Sequence, residues 1–209
     1  AITSLEITGA NDLSRRTVSK DNSAYYSDGQ QIWKINGEKI SITTISLSGE
    51  LSAIDTYNNK LYVLAKPQNQ VYRYALDPQN NWTGGESRIK GVADFQNVNS
   101  WSIDNSTTQG AIYLLRTDGQ VLKYFDGQKQ DFSLAAAEPV FDKSGIIRVA
   151  KNIYILDPSN KRLLIFSKEG KFINQYQSEQ FNSLTDFAVD RPEKTIYLLS
   201  GQAIYQIKL

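Results

Sequence analysis

The side chains that could do chemistry in this chain are arginines and carboxylates, because histidine and cysteine are both absent from its 209 residues. Their absence removes the commonest general base and transition-metal ligand, and with them any disulfide or thiolate metal site. Arg148 is the most unusual of what remains. It is expected on an inward-facing strand, with Arg15 and Asp186 one step further along the same face, where a guanidinium could hold an anionic or polar ligand. The competing reading is a plain Arg148–Asp186 ion pair, or an arginine bathed in water. Asp94, Asp142 and Asp186 should open their strands at one mouth of the fold. They would serve a glycoside hydrolase only if two acids converge within about 5–10 Å. Of the three, only Asp186 points inward by strand parity. Asp55, Asp104 and Asp190 fall at the opposite strand ends, in turns where an aspartate bonds local amides.

These assignments depend on elements that the sequence repeats five times. An apolar segment built on one tyrosine recurs as Ala24–Ser27, Leu61–Leu64, Ile112–Leu115, Ile153–Leu156 and Ile196–Leu199. The tyrosines are 37, 51, 41 and 43 residues apart, the repeat length of a four-stranded propeller blade. Apolar residues at nearly every position mean a strand covered on both faces. A polar turn follows each one, then a further strand: Ile32–Ile35, Val71–Tyr74, Val121–Tyr124, Leu163–Phe166 and Ile204–Ile207. Upstream lie first strands at 13–18, 51–55, 100–104, 146–149 and 186–190, with Thr17, Ala53, Ser102, Arg148 and Ala188 on the face opposite the core. Four of these five are small, as crowding near a central axis requires.

The spacing predicts an all-β chain and one domain, a five-bladed β-propeller of four-stranded antiparallel blades. Blades are expected near 10–49, 50–92, 95–138, 141–180 and 181–209 plus 1–9. The last blade lacks a fourth strand of its own, and Thr3–Thr8 is expected to complete it and hide both edges. Asn80–Glu86 reads as a protruding hairpin or a fourth-strand extension. The start at Ala1 and the absence of methionine give the chain the look of a processed or excised piece.

The stretch from Asn152 to Phe172, with Asp157-Pro158-Ser159-Asn160-Lys161-Arg162 between two apolar strands, resembles the NHL and YVTN-type propeller repeats. The resemblance implies a platform that binds protein, glycan or nucleic acid, in some members the outer sensor of a bacterial membrane protein. An extracellular or periplasmic location would follow from that.

Balanced charge, 23 basic against 22 acidic residues, argues against a nucleic-acid partner. No run of about 18 apolar residues exists, so this stretch contains no membrane-spanning helix. No Gly-rich phosphate loop, nucleophile elbow or Asp-x-Asp-x-Asp calcium loop occurs, so neither cofactor nor metal is expected. The favoured reading is a monomeric, non-enzymatic module that binds a protein or carbohydrate through its loops. Its contacts would be Lys66, Gln68, Arg116, Asp157 and Asn160, with Arg148 deeper. Trp82, in polar surroundings, is either an exposed contact or folded back on its own blade. The rivals are a five-bladed glycoside hydrolase using Asp142 and Asp186, and a sugar-binding lectin.

Overall fold

The structure, a computed structural model, describes residues 15–18, 23–37, 39–43, 45, 47, 49–79, 81–104, 106–107, 110–135, 145–190 and 193–209. It is all-β. Five antiparallel sheets follow one another along the chain as the blades of a β-propeller, in two compact units, Ala1–Gln96 and Asn97–Leu209.

The first unit holds two blades. Blade one is β1 (Arg15–Val18), β2 (Ala24–Ser27), β3 (Ile32–Asn36) and β4 (Lys39–Thr43). Blade two is β5 (Ala53–Tyr57), β6 (Lys60–Ala65), β7 (Gln70–Leu76) and β8 (Trp82–Ser87). Asn36 pairs with Lys39 to close the β3–β4 hairpin, and Gly37 after it sits at φ 59°, a value its missing Cβ allows.

The second unit holds three. Blade three is β9 (Val98–Ile103), β10 (Ile112–Arg116), β11 (Val121–Phe125) and the two-residue β12 (Gln128–Lys129). Blade four is β13 (Ile146–Val149), β14 (Ile153–Asp157), β15 (Arg162–Phe166) and β16 (Phe172–Gln177). Blade five has three described strands: β17 (Leu184–Val189), β18 (Thr195–Ser200) and β19 (Ala203–Lys208). The strand expected to complete it, residues 3–8, lies outside the described residues.

Every tyrosine segment is therefore the second strand of a sheet, and every following segment the third. The register is constant: Tyr25, Tyr62, Tyr113, Tyr154 and Tyr197 stand opposite Lys34, Arg73, Lys123, Ile165 and Gln206. Four of these five partners are polar, and the pairing gives the lysines a role. Lys34 lies over the Tyr25 ring at 5.7 Å and Lys123 over the Tyr113 ring at 5.3 Å. A long cationic side chain covers the aromatic face with its stem and sets its charge against the ring quadrupole.

Apolar side chains alternate between neighbours and so bind blade to blade. Within the second unit, Tyr113 and Leu115 of blade three pack with Ile153 and Ile155 of blade four. Tyr154 and Leu156 of blade four pack with Ile196 and Leu198 of blade five. In the first unit, Tyr25 of blade one packs with Leu61 and Val63 of blade two. Burying each such side chain is worth about 1.5–3 kcal/mol, which makes these layers the main stabilising term.

The segment expected as a hairpin or a fourth strand follows the fourth-strand reading. Trp82 opens β8 and is 5% exposed, edge-on to Tyr25 at 5.7 Å. Its expectation as an exposed contact is corrected: it belongs to the core. Two glycines, Gly84 and Gly85 at φ 104° and 85°, introduce a bulge that lets this otherwise polar strand follow β7.

Candidate functional site

The first strands of blades three, four and five supply the inward face. Between β9 and β13 no backbone ladder forms, and serine hydroxyls span the gap. Ser100 Oγ accepts the Ile147 amide at 3.1 Å, and Ser102 Oγ accepts the Val149 amide at 2.9 Å. A larger side chain at 100 or 102 could not do this, which gives the small residues a bonding role beyond simple crowding.

Arg148 lies between those two amides and reaches the other way, to β17. Its Nε donates to the Phe187 carbonyl at 2.6 Å, and its Nη2 donates to Asp186 Oδ1 at 2.6 Å. The guanidinium carbon sits 5.3 Å from the centroid of the Phe187 ring. Asp186 Oδ1 also accepts the Phe187 amide at 2.8 Å. The structure thus brings Arg148 and Asp186 together as an ion pair. The arginine side chain stays 45% exposed, with its orientation set from two sides. Arg15 pairs with Ser27 at the end of β1, and its side chain is outside the described set, as is Asp142.

The turns after the second strands place the remaining candidates. In blade four, Asp157 is fully buried; its Oδ2 accepts from Asn160 Nδ2 at 2.8 Å and from Arg162 Nε at 2.9 Å. Arg162 is nearly buried and extends Nη1 toward Gln175 Oε1 at 3.5 Å. This is an internal ion pair holding a turn, so Asp157 is inaccessible to a ligand while exposed Asn160 remains at the surface. The expectation that Asp157 contributes a surface contact is corrected accordingly. In blade three, Arg116 Nε is 3.3 Å from Asp118 Oδ2, and the Arg116 side chain is partly exposed. In blade two, Lys66–Gln68 form a single 3-10 turn closed by Asn69 at φ 51°. Both Lys66 and Gln68 are partly exposed, and the Asn69 side chain accepts the Phe95 amide at 2.7 Å.

Asp94 and the three aspartates expected in turns bond nearby groups, while Asp142 lies outside the described residues. Asp94 accepts the Gln96 amide at 3.0 Å, Asp55 the Thr56 amide at 2.7 Å, and Asp190 the Lys194 and Thr195 amides at 2.7 Å each. Asp104 does more than cap a turn. It is buried and meets the ammonium of Lys168, which also donates to Ser106 Oγ at 2.9 Å, so one lysine of blade four clamps a turn of blade three. Sequence reasoning missed Lys168, and also Glu193. Glu193 accepts the Lys151 amide at 2.6 Å and the Tyr154 hydroxyl at 2.8 Å. Burial first, then this carboxylate, pushes the Tyr154 phenol well above its ordinary range. No motif marks either residue, since each acts on a blade or strand pair other than its own. Among the described residues no group of three or more acidic side chains could hold a metal ion.

The DUF5128 family, described as a "6-bladed beta-propeller", matches residues 139–206, the span of blades four and five. No curated protein matches the chain. Among solved structures, a catalytically inactive histidine-to-alanine variant of virginiamycin B lyase from Staphylococcus aureus, with quinupristin, is similar at 13% identity and TM-score 0.57. The alignment covers 98% of this chain and 73% of that one. A selenomethionine form of the same lyase has 12% identity, TM-score 0.55 and coverage of 93% and 69%. YCF48 bound to D1 peptide has 11% identity, TM-score 0.57 and coverage of 93% and 66%. At these identities the likeness is one of fold.

Proposed function

We propose that this chain is a binding module without chemistry of its own, and that its ligand is an extended protein segment. The observation that carries the reading is Arg148: its guanidinium is held in one orientation by Asp186 and the Phe187 carbonyl, yet nearly half of the side chain faces solvent. A pre-oriented arginine loses little entropy when it takes a carboxylate or carbonyl oxygen. Arg116 and Asn160, on turns of the same unit, are the accompanying contacts. Lys66 and Gln68 are the corresponding contacts of the first unit. Within each unit, loops on stacked sheets offer such contacts at fixed spacing.

Two comparisons support this reading over catalysis. The similar lyase is inactive when one histidine is replaced, and this chain has no histidine at all. YCF48, equally similar in fold, was solved with a peptide bound. The test is a panel of extended peptides, acidic and neutral, titrated against the wild-type protein and Arg148→Ala. Micromolar binding that weakens at least tenfold in the variant supports the proposal. Equal binding to both proteins, or turnover of a glycoside substrate that Asp186→Asn abolishes, overturns it.

A further inference from the structure

A guanidinium has a side edge, Nε with one proton of Nη2, and an end edge, Nη1 with the other proton of Nη2. On each, paired N–H groups point the same way. Arg148 spends its side edge inside the protein: Nε donates to the Phe187 carbonyl and Nη2 to Asp186 Oδ1, both at 2.6 Å. The Phe187 ring, 5.3 Å from the guanidinium carbon, covers one face. The end edge meets no acceptor among the described residues, and the side chain is 45% exposed. Arg162 shows the opposite use, dividing its donors between Asp157 and Gln175 in a nearly buried place.

Two parallel N–H groups on a planar cation match the two oxygens of a carboxylate, which takes them as a bidentate pair. A lone carbonyl oxygen engages such a fork at one point only. Asp186 then selects among oxyanions. Its carboxylate lies against the same guanidinium, so it repels an incoming group in proportion to that group's charge. A carboxylate carries a single negative charge, whereas a phosphate monoester carries about −1.5 to −2 near neutral pH. Resting on the binding reading above, we infer that the end edge of Arg148 is a bidentate receptor for one carboxylate of the ligand.

Two titrations followed by nitrogen–proton NMR, read at the Arg148 Nε and the Val149 amide, separate this chemistry from the peptide reading. In the first, the probes are propionate, propionamide and methyl phosphate. Propionate is expected to bind with millimolar affinity, more tightly than methyl phosphate, and propionamide not at all. Arg148→Lys keeps the charge but loses the fork, and should weaken propionate at least tenfold. No shift with propionate, tighter binding of methyl phosphate, or equal propionate affinity in the lysine variant overturns the inference. In the second, the probes are acetyl-Ala-Ala-Glu-Ala-Ala-amide, its Gln counterpart, and acetylated pentaalanine with a free C-terminus. An acid peptide that binds at least tenfold tighter than the Gln peptide supports the inference, and which of the two does so tells a side-chain carboxylate from a terminal one. Equal binding of all three overturns the carboxylate receptor while the peptide reading survives. Propionate bound and all three peptides ignored supports the receptor and overturns the peptide reading.

Discussion

Blades four and five are written in nearly the same pattern, and their second strands show how differently one pattern can be used. In blade four every residue of β14 is buried; in blade five β18 alternates, with Ile196, Leu198 and Ser200 inside and Tyr197 outside. The turn differs too. Blade four spends Asp157, Asn160 and Arg162 on an internal ion pair, whereas in blade five Ser200, ahead of the equivalent turn, accepts the amide of Ser183 from before β17 at 3.1 Å. The lesson is that the repeat specifies strands and register, while burial is set by what stands on either side.

The sharpest way to break this comparison is to truncate both tyrosines. Tyr154→Ala should cost about 3–5 kcal/mol in urea unfolding of the 209-residue chain, as for other large buried aromatics. Tyr197→Ala should cost less than about 1.5 kcal/mol, since roughly half the side chain is already solvated. Equal losses would show that the two faces are equally covered. The turns offer a second contrast, its larger arm of similar size. Asp157→Ala, leaving Arg162 buried without its counter-ion, should cost about 3–5 kcal/mol, and Asp157→Leu with Arg162→Met should recover part of it. Ser200→Ala removes one neutral hydrogen bond and should cost about 1 kcal/mol.

An alkaline titration sharpens the contrast further. Burial is the main cause that pushes the phenols of Tyr113 and Tyr154 upward. The folded state therefore keeps both protonated after the unfolded chain, near pH ~10, has begun to ionise. Stability should be level below that pH and fall as the pH rises further. Tyr113→Phe should flatten the fall, and an unchanged slope would contradict the assignment. The smallest expected effect is at the third strand. Lys123→Ala uncovers the Tyr113 and Phe132 rings, 5.3 and 5.2 Å from its ammonium, at about 0.5–1 kcal/mol. Gln206→Ala, at the matching place in blade five, should be nearly neutral in the same unfolding assay.

Much of the fold is legible in the sequence because the repeat is local. The tyrosine strands, the turns and the third strands follow from apolar runs and turn residues within each repeat, and β13 and β15 contain the predicted segments. Trp82 is ambiguous because asparagines and glycines around it look like a loop, and only the long-range contact with Tyr25 places it in the core. Asp157 reads as a surface turn residue because its partner Arg162 is close in sequence but its burial is not written there. The clamps made by Lys168 and Glu193 cross between blades, so no window along the chain could contain them. For Arg148 and Asp186 strand parity is enough, since both lie on adjacent first strands whose alternation is plain.

The serine bridges between β9 and β13 bear on how freely blades three and four can shift against each other. A backbone ladder would hold two inner strands about 4.8 Å apart with little latitude. A hydroxyl on a rotatable side chain reaches over a range of separations and angles instead. Blades three and four, joined in this way, can splay or close slightly without losing either bond.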